Sequence, residues 1–246
     1  MSELPFGAVE IVAAVAGAER VLDAGCGSGR LTVALALDGA AVTGVDTSEA
    51  QLEEAARRAD DAGVSLTLLA ADFNEELPFA DATFDGVASR LSVMAAADPV
   101  TTLRELGRVL EPGGWLVTCL WASPAENPWF SGPREAIGVV LGPERAAFAR
   151  AFGKLGDLEE AAVAHRTAGL VDVDAVLLHG SRSAPDAASY WAELSAENGH
   201  FRRIEAVLTD DERAALLAEL EERFAPYGDA GGLTLPRAMV LVTAKR

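Results

Sequence analysis

The 246-residue chain is 50% hydrophobic, enough to bury a full core and to exclude disorder as its main character. Its 38 acidic residues against 20 basic ones leave a formal charge of -18, which repels phosphate backbones and anionic lipid, so nucleic acid and membrane are poor partners. The N-terminus carries no secretory-signal pattern, no run is apolar enough to span a bilayer, and Cys26 and Cys119 form no CxxC pair, so a reducing cytoplasm is the expected location.

Apolar runs alternate with amphipathic stretches through the first half, as a parallel sheet with crossover helices requires. RVLDAG (20–25) predicts the first strand, LTVALAL (31–37) its helix and AVTGVD (41–46) the second strand. Ser48 and Gln51 make a capping box ahead of LEEAARRA. SLTLLAAD (65–72) and FDGVAS (84–89) follow as strands, and Asp98 with Pro99 starts a helix through TTLRELGRVL. EPGG (111–114) turns the chain into a fifth strand, WLVTCLW.

Beyond Trp121 the pattern loosens. ASPAENPWFSGP predicts a loop, with short helical pieces at REAIGVV and ERAAFARAF. A helix capped by Asp157 leads into VDVDAVLLH, which alternates as a strand with one buried face. Helices are expected at DAASYWAELSAEN and at TDDERAALLAELEERF, the second with a capping box of Thr209 and Glu212, and LTLPRAMVLVTAKR reads as the last strand.

The first strand ends at Asp23 and breaks into Gly25, Gly27 and Gly29 before a helix. Such a loop lets a ligand lie against backbone near a helix N-terminus. Its G-x-G-x-G spacing puts Arg30 where the dinucleotide fingerprint needs a third glycine, which argues against a nicotinamide oxidoreductase. Asp46 ends the second strand, about 20 residues after the loop, where an acidic side chain accepts ribose hydroxyls.

VLDAGCGSGR, GVDTSEAQLEEAARR, AADFNEELPFADATFDGV and LRELGRVLEPGGWLV, in this order and at these separations, resemble the class I S-adenosylmethionine-dependent methyltransferases. The resemblance is close over 20–121, and is strongest to the small-molecule branch related to the ubiquinone and menaquinone biosynthesis enzymes. It implies a Rossmann-like α/β fold, a three-layer α/β/α sandwich around a mostly parallel seven-stranded sheet whose last strand is antiparallel. The whole chain, 1–246, would be one domain with its donor-binding core at about 18–121 and helical cap insertions at about 122–156 and 184–232.

The resemblance also implies the binding roles. Gly25, Gly27 and Gly29 would admit the methionine and ribose of S-adenosylmethionine, with Asp23 near the amino-acid end. Asp46, with Thr47 beside it, would take the ribose, and Asp72 the adenine amino group. Ala71 and Phe73 would supply a backbone contact and an apolar wall, and Arg90 its carbonyl to the donor's amino group. Relatives in this branch usually carry a longer N-terminal segment over the acceptor, so the lid here is expected to be short, built from elsewhere or supplied by a partner chain.

Methyl transfer from a sulfonium is an in-line displacement, so positioning is the main task and a base is needed only if the acceptor must lose a proton. The implied activity is methylation of a small, largely apolar or aromatic metabolite by a monomer or homodimer. A second reading keeps donor binding without transfer, as in a cyclase, scaffold or regulator. Trp129, Tyr190, Trp191 and His200 lie in the expected caps and are the candidate acceptor contacts, His200 being the best-placed base because ENGHF reads as a break between helices. His165 and His179 read as ordinary structural histidines, and no metal-ligand spacing is present.

Overall fold

The computed structural model describes residues 4–145 and 153–246. Of the helix expected at ERAAFARAF, residues 146–152 lie outside the described residues. The strands are β1 (Arg20–Ala24), β2 (Ala41–Asp46), β3 (Thr67–Ala70), β4 (Phe84–Arg90), β5 (Leu110–Trp121), β6 (Val171–Ala184), β7 (Gly228–Asp229) and β8 (Gly232–Lys245). The helices are α1 (Ala8–Ala14), α2 (Arg30–Leu37), α3 (Glu49–Ala62), α4 (Pro99–Val109), α5 (Pro128–Arg145), α6 (Leu158–Thr167), α7 (Ala187–Glu197), α8 (Gly199–Glu205) and α9 (Asp210–Phe224).

Among the described residues the sheet runs in the order β3-β2-β1-β4-β5-β8-β6, with β7 paired to β8 outside that path. β1 to β5 pair in parallel and β8 lies antiparallel to β5. The expected seven-stranded, mostly parallel sheet is thus present, and the eighth strand is the two-residue β7. Strand order reverses between β1 and β4, and in such sheets the carboxyl ends at the reversal form a ligand crevice. Asp23 and Arg90 end those two strands or sit one residue short of the end.

The chain forms two compact units: Met1–Ala122 with Gly153–Leu178 and Met239–Arg246, and Ser123–Phe152 with His179–Ala238. The first unit holds the parallel strands, of which β1 and β4 at the centre are buried along most of their length because both faces are covered. Val21, Leu22, Val87, Ala88, Leu116 and Val117 are completely buried. Asp98 caps α4 by accepting from the backbone N–H groups of Val100 and Thr101, with Pro99 in the first turn as expected. His165 on α6 is also completely buried, bonded to the Ala161 carbonyl at 2.7 Å and to Thr118 Oγ1 at 3.0 Å.

The second unit is a helical cluster around Tyr190, Trp191, Phe201, Leu220 and Phe224. Two expectations change here. The stretch read as a loop up to Pro133 is helical from Pro128, and the break at ENGHF is one residue wide, because Asn198 accepts from His200 N and starts α8 at once. α1 was not expected either: its N-terminal neighbour is Gly7, which supplies no side-chain cap to read.

Candidate functional site

The loop after β1 is tied to β2 from the outset, since the N–H groups of Gly25 and Cys26 both donate to the Val45 carbonyl at 2.9 Å. Its three glycines then serve different ends. At Gly25 (φ +76) a Cβ would lie 2.1 Å from Ser92 Oγ, 2.4 Å from Ser92 Cβ and 3.1 Å from the Phe73 ring, so two elements cross directly over this backbone. At Gly29 a Cβ would come within 2.7 Å of Ala55 Cβ and 2.9 Å of Ala55 Cα. The missing side chain at Gly29 therefore lets α2 begin against α3, a packing role. A Cβ at Gly27 would find its nearest neighbour, Gln51 Oε1, only at 3.7 Å, which leaves this face of the loop open.

A cavity of about 260 Å³ lies at this loop, lined among others by Pro5, Asp23, Gly25, Gly27, Gln51 and Arg90. Asp46 braces the loop from β2: one carboxylate oxygen accepts from Gly27 N and the other from Ser48 N, both at 2.9 Å. Thr47, next in the chain, is exposed, and the Ala71 N–H donates to the Asp46 carbonyl at 3.2 Å, which ties the segment of Ala71, Asp72 and Phe73 to the end of β2. Phe73 is half-buried and Asp72 exposed. Arg90 reaches back through Nε to the Phe6 carbonyl at 2.9 Å.

Ser92 is a site residue that sequence reasoning missed. Its hydroxyl is 3.1 Å from the Gly25 carbonyl and 3.2 Å from that of Arg90, so it joins the glycine loop to the turn after β4. RLSV carries no motif that singles it out. Among the described residues no group of three or more His, Cys, Asp or Glu side chains could hold a metal, and no helix is long and apolar enough to cross a membrane.

Asp23 is 1% exposed, and burial pushes its pKa up to about 6 against the opposing effects of the Thr32 hydroxyl, 2.7 Å away, and the charge of Arg90. Because the folded value is raised, its contribution to stability is complete below the unfolded pKa near 4 and is lost as pH rises through about 6. Burial moves His165 the other way, down to about 4, so its contribution is present above about 6.5 and is lost as pH falls toward 4. The two slopes oppose each other over the same interval. Asp23→Asn should therefore stabilise the unliganded protein at pH 8 by roughly 3 kcal/mol and leave a stability that climbs from pH 4 to 6.5. Denaturant titrations at several pH values measure this, and an unchanged profile would contradict the ionised, buried state of Asp23.

The candidate acceptor residues all lie in the second unit. Tyr190 is 0% and Trp191 3% exposed, their rings packed edge-on against Phe224 and Phe201 respectively. Trp191 Nε1 donates to Glu205 at 2.7 Å. Trp129, partly buried, donates through its indole N–H to Asn127 Oδ1 at 2.9 Å, and Asn127 also joins the Ala238 carbonyl and N–H. The packing thus accounts for Tyr190 and Trp191 without a ligand. His200 is half-buried, and burial together with the positive charges of Arg203 and Arg134 holds its pKa below the ordinary histidine value.

Tyr190 has a specific structural task. Pro133 lies inside α5 and has no N–H to give the Trp129 carbonyl four residues earlier, and the Tyr190 hydroxyl donates to that carbonyl instead. Tyr190→Phe should cost about 1 kcal/mol by removing the hydrogen bond to this part-buried carbonyl. The loss should shrink in a Pro133→Ala background, where the helix supplies its own donor. Equal losses in both backgrounds by chemical denaturation would remove this explanation.

A family model described as a methyltransferase domain matches residues 22–118. A demethylmenaquinone methyltransferase of Clavibacter sepedonicus is 42% identical over 115 residues, covering 46% of this chain and 45% of that enzyme. The chain thus spans about half the length of the first curated relatives it matches. A ubiquinone/menaquinone biosynthesis C-methyltransferase of Desulfotalea psychrophila is 34% identical over 169 residues, covering 64% of this chain and 68% of the relative. A crystal structure from Bacillus halodurans C-125, assigned as a methyltransferase, shares the fold with a TM-score of 0.66 and 20% identity over 97% of this chain and 98% of that one. The chain belongs to the class I S-adenosylmethionine-dependent methyltransferases, with relatives among the ubiquinone and menaquinone biosynthesis enzymes.

Proposed function

We propose that this protein transfers a methyl group from S-adenosylmethionine to a small, largely apolar or aromatic acceptor. The observation that carries the donor half is the crevice at β1 and β4: a glycine loop crossed by Ser92 and Phe73, a buried carboxylate at Asp23 and a braced carboxylate at Asp46. A carboxylate whose pKa burial has raised gains most from a cationic neighbour, which suits Asp23 to the charged amino-acid end of the donor. Bound there, S-adenosylmethionine would supply an activated methyl group on a sulfonium whose departure needs no acid.

The residues divide the holding of the donor between them. Asp46, fixed by Gly27 N and Ser48 N, is set to accept the ribose hydroxyls, with Thr47 beside it. Asp72 takes the adenine amino group, Ala71 and Phe73 flank the base, and the Arg90 carbonyl takes the donor's amino group. Gly25 and Gly27 admit the ligand to the backbone. The acceptor class is supported by the relatives' names, which point to quinone precursors. His200 is retained as the candidate base, its lowered pKa keeping the imidazole neutral and able to accept a proton near pH 7. In this reading the donor core at about 18–121 binds S-adenosylmethionine and the helical insertions at about 122–156 and 184–232 recognise the acceptor.

Incubation of the protein with S-adenosylmethionine and a panel of phenolic, quinol and other apolar metabolites tests the reading by mass spectrometry. A product heavier by one methylene, formed with S-adenosylhomocysteine in equal amount, is the expected result. Donor binding without any such product across the panel would favour the non-transferring alternative.

A further inference from the structure

Resting on the reading of Asp72 as the acceptor of the adenine amino group, we propose that Asn74 and Thr102 are positioning residues that set the preference for a 6-amino purine. Thr102 lies on the buried face of α4 beside Leu103 and Leu106 and is 1% exposed. A hydroxyl in such a place is costly unless bonded. It donates to Asn74 Oδ1 at 3.1 Å. Asn74 in turn holds Asp72, with its side-chain Nδ2 at 2.7 Å and its backbone N at 2.9 Å from the same oxygen, Oδ1.

The direction of this chain is forced by the chemistry of its members. An ionised carboxylate only accepts, so Asn74 must turn its NH₂ toward Asp72 and its carbonyl oxygen toward α4. Thr102 then has to be the donor, and its hydroxyl keeps the amide from flipping. Among the described residues, both donors that reach Asp72 bind Oδ1, so Oδ2 is the oxygen presented to a ligand N–H. α4 also grips the following residues. Glu105 accepts from Leu77 N at 2.8 Å, and Arg108 donates to the Leu77 and Phe79 carbonyls at 3.1 and 2.9 Å. The segment carrying Asp72 is thereby set from one helix, and a held acceptor distinguishes a base that donates from one that does not.

The test compares the affinities of S-adenosylhomocysteine and of its analogue with hydrogen in place of the adenine amino group, by calorimetry on the full chain. Wild type should prefer the amino compound by about tenfold or more, as expected for a hydrogen bond to a charged group. Asn74→Ala and Thr102→Val should lose most of that preference while binding the deamino analogue as wild type does, and Thr102→Ser should restore it. In an Asp72→Ala background Thr102→Val should have no further effect. Asn74 is exposed, so its variant keeps the test decisive if Thr102→Val fails to fold.

If wild type and Asp72→Ala discriminate equally, Asp72 is not the adenine acceptor and the proposal falls with that reading. If Asp72→Ala abolishes the preference while Asn74→Ala and Thr102→Val keep it, the reading stands and the positioning role is overturned. Equal weakening of both ligands in those two variants would mark general structural damage and overturn it as well.

Discussion

Gly25→Ala should nearly abolish donor binding and destabilise the fold. The residue sits at φ +76, where an L side chain costs roughly 1 to 2 kcal/mol. The new methyl would also lie 2.1 Å from Ser92 Oγ and 2.4 Å from Ser92 Cβ, and such overpacking adds about 1 to 3 kcal/mol. Relief must come from moving Ser92 or the loop, and either shift displaces backbone that the ligand is proposed to touch. Affinity for S-adenosylhomocysteine should fall by about a hundredfold or more, since small misplacements at a binding centre carry penalties of that order. Ser92→Gly in the same chain should return part of the lost melting temperature. Gly29→Ala is the control: it strikes Ala55 and should lower stability while the folded fraction binds the donor nearly as before. If Gly29→Ala loses affinity as far as Gly25→Ala does, the division of labour within the loop is wrong.

Asp46→Ala should weaken donor binding by about tenfold to a hundredfold, because hydrogen bonds to a charged group contribute about 1.5 to 3 kcal/mol. The same change removes the acceptor of Gly27 N and Ser48 N, so part of the loss comes from a loop no longer held against β2. Asp46→Asn separates the two contributions. Its single amide oxygen can keep one of the two backbone bonds, and the fold should lose less stability than in the alanine variant while affinity still drops. Calorimetric titration with S-adenosylhomocysteine measures both. An unchanged affinity in Asp46→Ala would mean that the end of β2 does not face the ligand.

What could be read from the sequence was local. Asp98 with Pro99 and Thr209 with Glu212 announce helix starts through side chains that bond within three residues, and both caps form as expected. Asp46 is legible because it ends an apolar strand at a fixed distance from a glycine loop. What could not be read depends on partners far along the chain. Ser92 matters because the fold brings it to Gly25, 67 residues away. The helix from Pro128 survives Pro133 because Tyr190 replaces the missing donor from another helix, so proline signals that argue for a loop mislead there. Tyr190 and Trp191 look like ligand-facing aromatics in a polar stretch, and helical spacing instead turns both toward one core.

Gly29 shows the limit of motif reading in the other direction. The motif explains all three glycines by the ligand, yet the contact with Ala55 and a φ of +77 give this one a structural reason of its own. Thr102 is similar: within TTLRELGRVL it looks like a tolerated polar residue, and only the bond to Asn74 gives it a task.

The crevice at β1 and β4 is proposed to hold S-adenosylmethionine, and direct titration of the purified chain tests this most simply. Calorimetry with S-adenosylhomocysteine should show one binding event per chain, accompanied by a rise in melting temperature because the ligand binds only the folded state. NAD should give neither heat nor a thermal shift. Equal responses to the two ligands, or none to either, would contradict the account.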